Sequence, residues 1–232
     1  MDKYVLIVAG GKGLRMGGDL PKQFIPMRGK PLLMHTLEAF HRWDASARII
    51  LVLPEDHQPY WNMLCKEIGC KVPHAIVKGG DTRFFSVKNG LDWLLAERRR
   101  KGEEDSGLCL VAVHDGVRPF VSPEVVEACF DKAAVTGAVI PVVPMIDSLR
   151  ETDEKGSHPV DRSRYMAVQT PQVFHLELLT KAYEQPYSSL FTDDASVVEA
   201  MGHAIDTVPG DRENIKITTP FDLLIAEAMF AR

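Results

Sequence analysis

The chain has 232 residues, 45% of them apolar and 25% charged, which suits one α/β domain whose core needs no disulfide or metal staple. Its 27 basic and 32 acidic residues leave a net charge of −5, which gives no support to a nucleic-acid or membrane-surface role. An anionic substrate must therefore be held by local cations.

The first apolar run, Tyr4–Ala9, reads as a strand. It is too short for a signal-peptide core or a membrane span, so a cytoplasmic location and no membrane partner are expected. Pro31–Trp43 is amphipathic, with Leu33, Leu37 and Phe40 at helical spacing. Strand-like Arg48–Leu53, helical Gln58–Ile68, strand-like Lys71–Val77, helical Arg83–Arg100 and strand-like Leu108–Val113 follow. Alternation of this kind, with continuously apolar strands, predicts a single α/β domain on a Rossmann-like, doubly wound, mainly parallel sheet. Ligands of such sheets bind outside the carboxyl ends of the strands. That rule selects Gly10–Lys22, Lys78–Ser86 and His114–Pro119.

The pattern changes after Val143. Ile140–Pro144 is apolar but punctuated by proline, and Arg150–Arg164 is polar and charged. The stretch 145–167 is expected to form a protruding two-stranded β-arm, with a surface loop as the alternative. A lone two-stranded ribbon is marginal in water, so an arm needs support, and a second copy of the chain is the obvious source. Helices are expected at His175–Gln185 and Asp193–Met201, a strand at Ala204–Val208 and a last helix from Pro220. The four cysteines form no CxxC pair and read as reduced, mostly buried thiols rather than a zinc site.

Between the first strand and first helix lies Gly10-Gly11-Lys12-Gly13-Leu14-Arg15-Met16-Gly17-Gly18, then Pro21-Lys22-Gln23. Glycines let a loop approach phosphates and aim backbone N–H groups at them. The dinucleotide fingerprint fails, because Met16 stands where its third glycine belongs, and no P-loop Gly-Lys-Ser/Thr occurs. What remains is a loop carrying Arg15 and Lys22, two cations able to wrap a triphosphate; the plainer alternative is a tight turn with solvated basic residues.

This loop, with Pro21-Lys22-Gln23-Phe24, resembles the signature of the sugar-nucleotide pyrophosphorylase and cytidylyltransferase superfamily. Five further stretches are similar to the methylerythritol-phosphate cytidylyltransferase family within it: Gly79–Val87, Val113–Pro119, Thr170-Pro171-Gln172, Thr192–Val197 and Asn214-Ile215-Lys216. The likeness runs from Val5 to Glu227. It implies transfer of CMP from CTP to a polyol phosphate with release of pyrophosphate, ribitol 5-phosphate being the alternative acceptor. Catalytic roles then fall on Arg15, Lys22 and Lys216. The nucleotide would contact Ala9, Gly10, Gly11, Gly13, Gly80, Asp81, Ser86, Asp115 and Gly116. The acceptor would contact Arg118, Ser148, Arg162, Thr170 and Thr192. The resemblance also implies Mg²⁺ or another divalent cation held mainly by CTP, with Asp115 an indirect partner, and a homodimer in which the arm carrying Arg162 reaches the partner's site.

Each stretch has a residue-level reading as well. Backbone groups of Gly80 and Asp81 with the Ser86 hydroxyl could meet the donor and acceptor edge of cytosine. Asp81 is equally a fair helix N-cap. Asp115 belongs at a strand end, where it could instead pair with Arg118, and His114 reads as a buried, hydrogen-bonded histidine. Gly10, Gly116-Val117 and Ser148 stand where the family commonly has alanine, Ala-Ala and threonine, departures that keep the small size or the hydroxyl.

Overall fold

The fold is that of a computed structural model, which describes residues 1–10, 20–104 and 107–231. Its centre is an eight-stranded sheet. Strands β1 (Asp2–Val8), β4 (Arg48–Leu53), β5 (His74–Lys78) and β6 (Cys109–Asp115) pair in parallel in the order β6-β1-β4-β5. The small strands β2 (Pro26–Met27) and β3 (Lys30–Pro31) pair with each other.

Side chains alternate across this sheet and both faces are covered. Val5 and Ile7 of β1, with Ile49 and Leu51 of β4, pack against α1 (Leu32–Trp43), α2 (Gln58–Ile68) and α4 (Pro123–Thr136) through Leu33, Leu37, Phe40, Trp61 and Phe130. Tyr4, Leu6, Ile50 and Val52 face the other way, onto α3 (Arg83–Lys101), α5 (Leu176–Ala182) and α6 (Asp194–Glu199). Period-two strands with both faces apolar leave no solvated side, which is why these runs read as continuously hydrophobic. Helix α3 comes close enough that a Cβ on its Gly90 would meet Leu6 Cδ2 at 2.7 Å. A larger residue at Gly90 would push the helix off the sheet.

Beyond β6 the sheet becomes mixed. β11 (Gln172–His175) runs antiparallel between β6 and β7 (Ala138–Pro144). β10 (Met166–Val168) pairs antiparallel with the far end of β7, and β12 (Asp206–Pro209) parallel with it. The prolines of Ile140–Pro144 obscure this strand in the sequence, because proline supplies no ladder donor. Pro141 keeps its acceptor in use, its carbonyl oxygen taking the Gln169 N–H at 2.9 Å. Helix α4 is also absent from the sequence-based expectation, though its signals are present: Ser122 caps it, Pro123 opens it and Gly137 closes it at φ 89°.

The expected arm is shorter than 145–167. Its paired part is β8 (Leu149–Asp153) with β9 (Gly156–Val160), turning at Gly156. Met166 and Ala167 belong to β10 on the main sheet, because Val143 and Pro144 offer an open edge there. The last helix, α7 (Pro220–Phe230), starts at the expected residue behind a Thr219–Asp222 capping box. No helix among the described residues is long and apolar enough to cross a membrane. All four cysteines are free; burial pushes the Cys109 and Cys129 thiols up to about 11 and about 12.

Candidate active site

The carboxyl ends of β1, β4, β5 and β6 converge through backbone bonds. Ala9 N–H donates to Val52 O (3.0 Å), Gly79 N–H to Leu53 O (2.7 Å) and Gly116 N–H to Val8 O (2.9 Å). Over these ends opens a cavity of about 230 Å³. Its walls bring together eight of the residues singled out in the sequence: Ala9, Gly10, Lys22, Gly80, Asp81, Ser86, Asp115 and Lys216. Gln23, Thr82 and Arg83 line it as well and had been given no role. Arg15, Gly11 and Gly13 lie outside the described residues.

One wall is the start of α3. Thr82, rather than Asp81, is the N-cap, its hydroxyl accepting from Phe85 N. Asp81 is thereby left exposed at the cavity. Ser86 accepts from Gly80 N (3.1 Å) and donates back to Thr82 O (2.9 Å), which closes the turn. A Cβ on Gly80 would lie 2.5 Å from Phe85 Cβ, so only glycine fits there. The first turn of this 19-residue helix, through Thr82, Arg83 and Ser86, borders the space, and a helix N-terminus favours anions.

The opposite chemistry sits at the end of β6. Asp115 Oδ2 accepts from Arg118 Nε at 3.0 Å and lies 3.1 Å from Lys216 Nζ. Burial pushes the Asp115 carboxyl up, but the Lys216, Arg83 and Arg118 charges outweigh that, and it is held well below the usual carboxylate range. Arg118 Nη1 also donates to Asn214 O (2.8 Å), so the 214–216 strip is pinned to β6. Thr170 is buried; its hydroxyl accepts from Asp115 N (3.2 Å) and meets His114 Nδ1 at 3.0 Å. It therefore acts on Asp115 from behind rather than lining the cavity. Gly116 also lies behind the wall, against Ala9 and Leu33.

His114 is fully buried, with Nε2 3.1 Å from Arg118 O. Donation from Nε2 and acceptance at Nδ1 fit the neutral ring, and burial lowers its pKa to about 4 against an ordinary 6.5. Between these values the unfolded chain binds a proton that the folded chain does not. Stability is therefore complete above about pH 6.5 and falls as pH drops toward 4. The loss expected from this ring is about 3 kcal/mol. Urea midpoints measured from pH 7 to pH 4 should fall in the wild type and fall less steeply in His114→Asn; equal slopes would remove His114 as the cause.

The remaining acceptor candidates are not gathered at this cavity. Ser148 and Arg162 sit at the two ends of the β8–β9 hairpin, where Arg162 Nη1 donates to Ile146 O. Thr192 is exposed just before the capping box of α6.

A mainly parallel sheet of this topology, with cations and a capped helix start gathered at its strand ends, defines a Rossmann-like nucleotidyltransferase. The family model "IspD: 2-C-methyl-D-erythritol 4-phosphate cytidylyltransferase" matches residues 4–232. The chain belongs to this family. A Bacteroides fragilis protein of the same description is 56% identical over 229 residues, covering 99% of this chain and 100% of that one. One from Phocaeicola vulgatus is 55% identical over the same length, with the same coverage. Among solved structures, the 2-C-methyl-D-erythritol 4-phosphate cytidylyltransferase of Thermus thermophilus aligns over 100% of both chains, at 32% identity and a TM-score of 0.74.

Proposed function

We infer that the protein joins the CMP unit of CTP to the phosphate of 2-C-methyl-D-erythritol 4-phosphate, giving 4-diphosphocytidyl-2-C-methyl-D-erythritol and pyrophosphate in isoprenoid biosynthesis. The observation that carries this reading is the full-length family match, with relatives above half identity end to end. In the reaction an oxygen of the acceptor phosphate forms a bond to the α-phosphorus as the bond to the pyrophosphate oxygen breaks. The nucleophile is already an anion and needs no base, and His114, buried and hydrogen-bonded, is not asked to be one. Catalysis then rests on positioning and charge neutralisation.

Lys22, with Arg15, is assigned to the charge that builds on the α-phosphate and leaving group, and Lys216 to the approach of the acceptor. Support comes from the place of Lys22 and Lys216 on one cavity with the α3 N-terminus. Gly80, Asp81 and Ser86 are assigned to cytosine, and their place on the same cavity wall supports this. No group of three or more metal-ligating side chains occurs among the described residues. Lys216 and Arg118 both engage Oδ2 of Asp115, which leaves Oδ1 as the protein's donor. Such a set fits Mg²⁺ carried mainly by phosphates and water with one carboxylate. When bound, the ion offsets phosphate charge.

A homodimer is part of the proposal. The β8–β9 hairpin bonds within itself and stands apart from the cavity, so Ser148 and Arg162 would serve an acceptor site only across a subunit boundary. Free cysteines accord with a cytoplasmic setting. A pyrophosphate-release screen of the four nucleoside triphosphates against methylerythritol phosphate and ribitol 5-phosphate tests the reading. Turnover is expected with CTP and the former; preference for ribitol 5-phosphate, or for another nucleotide, would overturn it. Sedimentation should give twice the mass of the 25.9 kDa chain, and deletion of 149–160 should reduce it to one.

A further inference from the structure

We propose that Gln23 is a positioning residue for the transfer step, acting through Lys22; this rests on the role assigned above to Lys22. Gln23 is 1% exposed although it lies on the cavity wall. Its Nε2 donates to Ala9 O at 3.0 Å and meets His57 Nδ1 at 3.2 Å. One amide thus ties together three strand-end segments: the end of β1, the turn that carries Lys22, and the turn after β4.

The next residue completes the anchor. Phe24 is 2% exposed and packs on Tyr60 (5.2 Å), His57 (5.6 Å) and Trp61 (6.3 Å). On the other side Pro21 fixes φ at −56°. Lys22 therefore leaves a backbone clamped on both flanks, and the long-range part of the clamp is the Gln23 side chain. Its Oε1 is buried and has no partner among the described residues. The amide satisfies the buried Ala9 carbonyl while leaving its own oxygen unpaired, so its net contribution to stability is small. A side chain that holds Ala9 O at a fixed distance from the Lys22 backbone accounts for retaining the amide, because a misplacement of about 1 Å at a charge-stabilising group can cost on the order of 100-fold in rate.

The test is a double-mutant cycle of wild type, Gln23→Leu, Lys22→Ala and the pair, followed by pyrophosphate release with CTP and methylerythritol phosphate and by thermal unfolding. Gln23→Leu is expected to lower kcat about 10- to 100-fold, with KM for CTP changed less than about threefold and the unfolding midpoint by only a few degrees. In the Lys22→Ala background the same replacement should change kcat less than about twofold, because the group being positioned is gone. A residue that only supports the fold would give additive losses and a large shift in midpoint. Additive losses, wild-type kcat in Gln23→Leu, or undiminished kcat in Lys22→Ala would each overturn the inference. Should Gln23→Leu fail to fold, Gln23→Glu keeps the length while removing the donors, and it must show the same dependence on Lys22. A wild-type chain that releases no pyrophosphate from CTP would overturn the functional reading itself, and this inference with it.

Discussion

Lys22→Ala should lower turnover of CTP and methylerythritol phosphate by about 10²–10³-fold while the chain stays folded. Lys22 is half-buried at the cavity, so its ammonium acts where water screens it less than at an open surface. Pro21 before it and the buried Gln23 and Phe24 after it hold its backbone in place before any substrate arrives. A cation fixed in advance does not have to be reorganised as charge builds on the α-phosphate, which is the condition under which such contacts contribute most. The loss should fall on kcat more than on KM for CTP, since ground-state triphosphate keeps its other contacts. Lys22→Arg should recover only part of the rate, because a planar guanidinium on a different stem does not put its charge at the same point. Steady-state kinetics with matched circular dichroism decides the matter: a folded Lys22→Ala protein within about threefold of wild type would remove Lys22 from the transition state.

The sequence made the scaffold legible wherever a local signal was strong. Arg48–Leu53 and Gln58–Ile68 have the expected ends, and Pro220 opens the last helix. These segments carry their own punctuation, Pro54 and Gly69 among it, and their apolar period matches the face they bury. β7 was not legible, because Pro141 and Pro144 weigh against a strand and its neighbours β10, β11 and β12 make it one. The same holds at the start of α3. Asp81 and Thr82 are both good caps, and the structure takes Thr82, which keeps Asp81 facing the cavity.

In the site, residues placed by a strand end could be found by position: Asp115 ends β6, and Lys22 follows β1 by way of the glycine-rich stretch. Residues placed by contact across the chain could not. Gln23 reaches back 14 residues to Ala9, and Arg118 reaches 96 residues to Asn214. Thr170-Pro171-Gln172 and Thr192–Val197 were visible as motifs, but the contact that joins them was not. Gln172 donates to Asp193 Oδ2 (2.8 Å) and accepts from Ala195 N (2.9 Å), which docks the capped start of α6 onto β11. Arg83 stood inside a motif quoted for cytosine, but its partner lies 111 residues away.

That partner gives the largest expected effect on stability. Asp194 is 0% exposed and takes three donors: Arg83 Nη1 at 2.8 Å, Arg83 Nη2 at 2.5 Å and the Tyr183 hydroxyl at 2.6 Å. Burial pulls the Arg83 pKa down, but the Asp194 charge and hydrogen bonds more than compensate, and it stands raised. Tyr183, itself buried, moves up through burial first and the Asp194 charge next. Asp194→Ala leaves a guanidinium unpaired at the cavity wall and a buried phenol without its acceptor. Breaking a buried pair from one side costs about 3–5 kcal/mol, which for a chain of this size is a fall in Tm on the order of 10 °C. Replacing both partners, Arg83→Met with Asp194→Leu, should be less destabilising than Asp194→Ala alone, because no charge is then stranded. Below its lowered Tm the Asp194→Ala protein should also bind CTP more weakly, since Arg83 directly follows the Thr82 cap that shapes the Gly80–Ser86 turn. Calorimetry on wild type and the two variants separates the terms. If Asp194→Ala melts within a few degrees of wild type, or the double replacement melts lower than it, the pair is not what binds α6 to the cavity wall.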